Sequence, residues 1–284
     1  MIANVGAVDI PQVDVEAYRQ QGFVLVPQVF DAETTARMRV EADAMLERVV
    51  GTGAKVEATW KGQWRDKLIG MGTAGIPDDQ VGYGMTSSDA DLIAGASRVS
   101  NIHNVQFHSA YFTRLLVDER LTGIVAQLIG PNVQLHHTKY HVKPPARGAP
   151  FPMHQDYPYF PHENHTMLVA AVHIDAATVE NGCLCLVPGS HKLGPLPHVS
   201  DGSHYLPPDE WPLERAVPCP AQAGDVAFFN YLTIHGSYVN RSDRPRRLLL
   251  VQMRSPLDRP TAQVHLSPGQ GTMLRGVNPT GRVG

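Results

Sequence analysis

Val133-Gln134-Leu135-His136-His137-Thr138-Lys139-Tyr140-His141-Val142 opens the part of the chain that decides its fold. Apolar, aromatic and β-branched residues recur through it, and Lys143-Pro144-Pro145 then stops it. Residues 167–174, 183–187, 225–231 and 248–253 repeat the style. They are separated by Asn181-Gly182, Pro188-Gly189 and Ala223-Gly224-Asp225. Short strands punctuated by turn residues predict an all-β sandwich or barrel.

Upstream the texture is helical. Residues 13–21 form a short mixed segment broken by Gly22, and Phe23-Val24-Leu25-Val26 predicts a strand before Pro27. Asp31 is placed to cap a helix over 32–50, which Gly51 and Gly53 end. Residues 51–97 are rich in Gly, Asp and Ser with weak periodicity and predict loops. Leu115, Leu116, Leu121, Ile124, Val125 and Leu128 recur at helical spacing, so 109–129 predicts one helix stopped by Gly130-Pro131. No repeat or linker divides the chain. The expected organisation is a single domain over 1–284: a helical part to about 130, a β core over about 131–255 and a tail over 256–284.

Composition narrows the function. The chain has 284 residues, 43% hydrophobic and 18% charged, with a net charge of −3. That is the profile of a globular protein with a sizeable core. No long basic run favours nucleic acid. No stretch approaches the length of a membrane span, and no signal peptide is visible, so a cytoplasmic protein is expected. Cys183, Cys185 and Cys219 form no zinc-ribbon pair and predict buried, reduced thiols. The dinucleotide fingerprint, the phosphate loop, the serine-hydrolase elbow and the zincin helix are all missing. Oligomeric state is not legible.

The fourteen histidines are the oddity. His154-Gln155-Asp156 places an imidazole and a carboxylate two residues apart, hence on one face of an extended strand. With a distant histidine they would cap a single face of a ferrous ion and leave three positions open for a co-substrate and O₂. Composition alone yields roughly one His-x-acid match by chance, and His173-Ile174-Asp175 is a second. His173 lies inside an apolar run and reads as a core histidine; Asp175 opens a loop. The distal ligand could be His191, His198, His204, His235 or His265. His235 closes the apolar stretch 226–234, and eleven residues on stands Arg246, able to hold a carboxylate through two parallel bonds. His162 and His165 flank the His-x-Asp loop and read as solvated loop residues, with substrate contact as the alternative. Tyr157, Tyr159 and Phe160 suit a pocket mouth or ordinary packing equally.

The segment His154-Gln155-Asp156-Tyr157-Pro158-Tyr159-Phe160-Pro161 resembles the iron-binding segment of the phytanoyl-CoA dioxygenase family. The resemblance extends to Asn181-Gly182-Cys183-Leu184 with Val187-Pro188-Gly189-Ser190-His191-Lys192, to Ile234-His235-Gly236-Ser237 with Asn240 and Arg246, and to Lys143-Pro144-Pro145. Order and spacing agree over roughly 134–254. It implies a mostly β protein with a helical N-terminal layer, built on a double-stranded β-helix (a cupin-like jelly roll). It implies Fe(II) held by His154, Asp156 and His235, and 2-oxoglutarate whose distal carboxylate meets Arg246 with help from Ser237. Gln155, Lys139 and Thr138 are the further co-substrate contacts it suggests, with residues 51–110, including Trp60, Trp64 and 70–84, covering the substrate.

The implied reaction spends O₂ and 2-oxoglutarate, releases succinate and CO₂, and hydroxylates an unactivated C–H bond. Its substrate would be a small molecule: a natural product, a lipid-like compound or an acyl derivative. The rival readings are a cupin-like metalloprotein without 2-oxoglutarate, such as an isomerase, and a non-catalytic binding module.

Overall fold

The computed structural model describes residues 8–53, 57–58, 99–145, 148, 150–200, 204–264 and 266–281. Helix α1 (Val15–Gln21) starts where the Asp14 carboxylate accepts a bond from the Ala17 amide, and it ends at Gly22. Strand β1 (Phe23–Val26) follows, then α2 (Ala32–Gly51), capped by Asp31 through the Thr34 amide. Strands β2 (Glu57–Ala58) and β3 (Val99–His103) precede α3 (Ala110–Leu116) and α4 (Glu119–Ile129). The run 109–129, expected as one helix, is therefore two. Asp118 divides it: its carboxylate accepts from the Arg120 amide and grips the Arg120 guanidinium, which starts a new helix.

The β part comprises β4 (Val133–Lys143), β5 (Phe151–His154), β6 (Leu168–His173), β7 (Leu184–Leu186), β8 (Val199–Ser200), β9 (His204–Tyr205), β10 (Val217–Cys219), β11 (Val226–Asn230), β12 (His235–Ser237), β13 (Arg246–Arg254) and β14 (Met273–Arg275). The larger sheet runs β1-β11-β6-β13-β4-β3-β2, with β14 also on β4; the smaller runs β10-β7-β12-β5. All pairings are antiparallel. The two sheets face each other as the double-stranded β-helix that the family resemblance implies.

Strand parity divides the larger sheet into two apolar faces. Leu168, Ala170 and Val172 of β6 turn toward the helices, meeting Met38, Met45, Phe112 and Ile124 in one core. Val169 and Ala171, the alternate residues, turn inward toward Leu184 and Leu186 of the smaller sheet. Burying each such Leu or Phe contributes about 2 kcal/mol. The helical layer thus backs the sheet whose other face lines the cavity.

One strand boundary differs from expectation in a way that matters. The apolar stretch 226–234 is not one strand closed by His235. β11 stops at Asn230, whose side-chain oxygen accepts from the Leu232 amide and whose carbonyl accepts from the Thr233 amide. This turn carries the chain to the other sheet, and His235 opens β12. The three cysteines are free and buried, as expected. Trp60, Trp64 and residues 70–84 of the expected substrate cover lie outside the described residues.

Candidate active site

His154 and His235 are direct cross-strand partners in the β5–β12 pair. Their ring centroids stand 4.2 Å apart. Asp156 lies just past the end of β5, where its amide donates to the Tyr231 carbonyl in the turn that leads into β12. One Asp156 carboxylate oxygen is 3.7 Å from His154 Nε2 and 3.8 Å from His235 Nε2. One ligand atom from each residue lies within 4.8 Å of the others.

Backbone carbonyls set the tautomers. His154 Nδ1 bonds the Pro152 carbonyl at 2.8 Å, and His235 Nδ1 bonds the Thr233 carbonyl at 2.9 Å. A carbonyl only accepts, so each Nδ1 carries the hydrogen and each Nε2 presents a lone pair to the common point. Burial, reinforced by neighbouring His235, holds the His154 imidazole well below its ordinary pKa. The donor set fits a ferrous ion: two neutral imidazoles and one carboxylate on a single side, the other side open to a cavity.

That cavity is about 500 Å³. Its floor is the β4–β13 ladder, on which Lys143 faces Arg246, His141 faces Leu248, Lys139 faces Leu250 and His137 faces Gln252. Arg246, Leu248, Leu250 and Gln252 are alternate residues of one strand and all line the cavity. Arg246 is 3% exposed, and its Nε has no hydrogen-bond partner. Burial lowers its pKa to about 10, still far above neutrality. Ser237 lines the wall beside it. Lys139 reaches into the same space, its ammonium 5.8 Å from the Phe151 ring centre and its pKa lowered by burial against the pull of Asp156.

Two expected co-substrate contacts do not face the cavity. Gln155 lies between two inward residues and points the other way. Its amide group donates to the Gly194 and Leu232 carbonyls and accepts from the Leu196 amide. It staples loops that hold the triad, and every polar atom of its side chain is spent there. Thr138 alternates with Lys139 on β4, and its hydroxyl donates to Gln106 and accepts from the Val105 amide. Strand parity turns both away.

The rejected histidines have structural partners. His191 bonds the Arg19 carbonyl, His198 the Gln155 amide and His204 the Ser200 hydroxyl. His265 lies outside the described residues. His173 is buried against the Asp225 carbonyl, and Asp175 bonds Arg39 and Arg247, so this second His-x-Asp is structural. His162 and His165, expected as solvated, are not: His162 packs edge-on to His136, and His165 bonds the Tyr231 hydroxyl. Tyr159 and Phe160 line the cavity; Tyr157 packs near Tyr231 instead. Sequence reading missed Gln252, whose amide donates to the second Asp156 oxygen at 3.2 Å. Its signal was parity, since it stands six residues from Arg246 on the same strand.

A β-helix that buries this triad and a carboxylate-seeking arginine in one cavity defines a class: the non-haem Fe(II)- and 2-oxoglutarate-dependent oxygenases. The chain belongs to the phytanoyl-CoA dioxygenase (PhyH) family, whose model matches residues 18–248. It is 29% identical over 243 residues to a probable alpha-ketoglutarate-dependent hypophosphite dioxygenase of Stutzerimonas stutzeri, covering 82% of this chain and 75% of that protein. It is 26% identical over 252 residues to an ectoine dioxygenase of Bordetella parapertussis, covering 82% and 71%. Among solved structures, the alpha-ketoglutarate-dependent carbocyclase SnoK from nogalamycin biosynthesis shares the fold. It has a TM-score of 0.65 at 24% identity, over 90% of this chain and 91% of that one.

Proposed function

We propose that this enzyme hydroxylates an unactivated C–H bond of a small organic molecule held over a ferrous ion on His154, Asp156 and His235. Iron, 2-oxoglutarate and O₂ together supply the oxidising equivalent, with release of succinate and CO₂. The protein supplies placement. Arg246 neutralises the distal carboxylate of 2-oxoglutarate through charge-assisted bonds, and the Ser237 hydroxyl stands beside it. Lys139, between that pole and the triad, offers a second cation to the same anion. Leu248 and Leu250 keep the span between the poles dry, which strengthens each electrostatic contact.

The single observation that carries this reading is Arg246: buried, charged, and with Nε unpartnered in the cavity that holds the triad. A cupin-like isomerase or a binding module has no use for that costly cation. Tyr159, Phe160 and Leu266 line the cavity beside His103 and His137, which suits a compact substrate with both apolar and hydrogen-bonding surface. The relatives named for hypophosphite and ectoine also act on small molecules. Among the described residues no helix is long and apolar enough to cross a membrane. The three free thiols support a reducing, cytoplasmic setting.

The test is anaerobic titration of the Fe(II)-loaded protein with 2-oxoglutarate, read by the visible charge-transfer band of the chelate. A saturable band is expected, and Arg246→Met should abolish it at the same concentrations. A wild-type protein that binds iron but gives no band refutes the proposal.

A further inference from the structure

Lys143 is fully buried, at 0% exposure, yet no carboxylate lies within ion-pair distance of it among the described residues. Burying an ammonium without a counter-ion is costly, and such groups concentrate where a site uses them. Its partner across the β4–β13 ladder is Arg246, itself buried. Burial and then Arg246 hold the Lys143 ammonium well below its ordinary pKa. Two buried cations side by side, offset by the thiols Cys183 and Cys185 and, for Arg246, by Asp175, form a pole that a carboxylate would relieve.

Lys143 does not line the cavity; its ammonium is tucked behind the wall. It donates to the Ser237 hydroxyl oxygen at 2.8 Å and to the Tyr238 carbonyl. Gly182 makes room for it: at φ 78°, a Cβ there would sit 3.1 Å from Lys143 Nζ and 2.4 Å from the Tyr238 carbonyl oxygen. The chemistry of the hydroxyl then decides the matter. Ser237 has one hydrogen to give, and its oxygen already accepts from Lys143. Its hydrogen must go elsewhere, and the wall of the cavity beside Arg246 is where the side chain opens. The ammonium has no lone pair, so it cannot take that hydrogen.

We propose that Lys143 is a positioning residue for 2-oxoglutarate, fixing the Ser237 hydroxyl as a donor to the distal carboxylate that Arg246 binds. This rests on the 2-oxoglutarate reading of the cavity. Lys143 touches neither iron nor co-substrate; it acts through one hydroxyl and through its charge.

The experiment compares two 2-oxo acids on Fe(II)-loaded protein under anaerobic conditions, again reading the charge-transfer band. One is 2-oxoglutarate. The other is 2-oxopentanoate, which has a methyl group in place of the distal carboxylate. Lys143→Met should raise the half-saturating 2-oxoglutarate concentration about tenfold or more and change that of 2-oxopentanoate less than about twofold. Ser237→Ala should do the same, and the double variant should be little worse than either single one. If Lys143→Met weakens both acids equally, or neither, the proposal falls, because a merely structural lysine would not discriminate between them. Should Lys143→Met fail to fold, Ser237→Ala decides alone: selective weakening supports the proposal and retained selectivity overturns it. A wild-type protein without any band overturns the underlying site reading instead, which separates the two failures.

Discussion

Gln252 Nε2 donates to Asp156 Oδ2 at 3.2 Å, leaving Oδ1 as the oxygen that faces His154 and His235. The bond divides the labour of the carboxylate: one oxygen is anchored to β13 and the other is left for metal. Outer partners of this kind typically hold ten- to hundredfold in metal affinity. Gln252→Leu should therefore weaken Fe(II) or Mn(II) binding by about that factor with little change in thermal stability. Direct metal titration by calorimetry checks this, and an unchanged affinity would show that the carboxylate is oriented without Gln252.

How much of this was legible in the sequence follows from strand parity. Residue types and spacing singled out His154, Asp156, His235 and Arg246, because those chemistries are costly to place anywhere else. They could not tell which neighbours share the cavity face. Gln155 and Thr138 adjoin inward residues and so point outward, into bonds with backbone and Gln106. The break at Asn230 was hidden because 226–234 is apolar throughout. An asparagine able to cap its own turn was the only clue, and such local bonds compete with strand pairing without announcing which wins.

Arg246 and Arg247 are adjacent on β13 and make opposite predictions. Arg246 faces the cavity with Nε unpaired. Arg247 faces the helical layer, where it bonds Asp43 of α2 through two nitrogens at 2.9 Å and Asp175 at 2.9 Å. Those carboxylates raise its pKa above the usual arginine value despite its partial burial. Arg247→Met should cost about 1 kcal/mol of stability, since half-exposed Asp43 loses both of its bonds to the guanidinium while Asp175 keeps Arg39 and the Arg247 amide, and leave 2-oxoglutarate binding intact. Arg246→Met should leave stability unchanged or raised, and lose at least about a hundredfold in 2-oxoglutarate binding. Urea melts and band titrations on both variants read the two effects separately. A common loss of stability would contradict the assignment of faces.

Gly224 closes the turn into β11 at φ 95°, and a Cβ there would come within 1.9 Å of the Phe30 carbonyl oxygen. The Phe30 amide also donates to the Gly224 carbonyl at 3.0 Å, so the N-terminal segment lies directly on this turn. Neither backbone can give way cheaply. Gly224→Ala should cost about 3 kcal/mol through strain and collision together. Equilibrium unfolding would show it. A loss below about 1 kcal/mol would mean that the Phe30 segment moves aside cheaply to admit the methyl group.

Buried neutral histidines make the fold sensitive to acid before its carboxylates titrate. Burial lowers the His173 pKa to about 4 and that of His136 to about 2, from an ordinary value of 6.5. Below pH 6.5 the unfolded chain binds protons that these folded imidazoles refuse, so stability falls as pH falls. Their contribution is fully present above about pH 6.5 and is lost progressively toward the folded values. Each such group adds a slope approaching 1.4 kcal/mol per pH unit. His136 is the cleaner test: both ring nitrogens are buried without partners, and the ring lies edge-on to Phe160 and His162. His136→Phe keeps an aromatic ring there and removes the proton-binding site. Between pH 6.5 and about 5 its urea midpoint should fall less steeply than that of the unaltered protein, by close to one proton's worth of slope. Equal slopes would mean that His136 takes up its proton within the folded state, and that its cavity admits water.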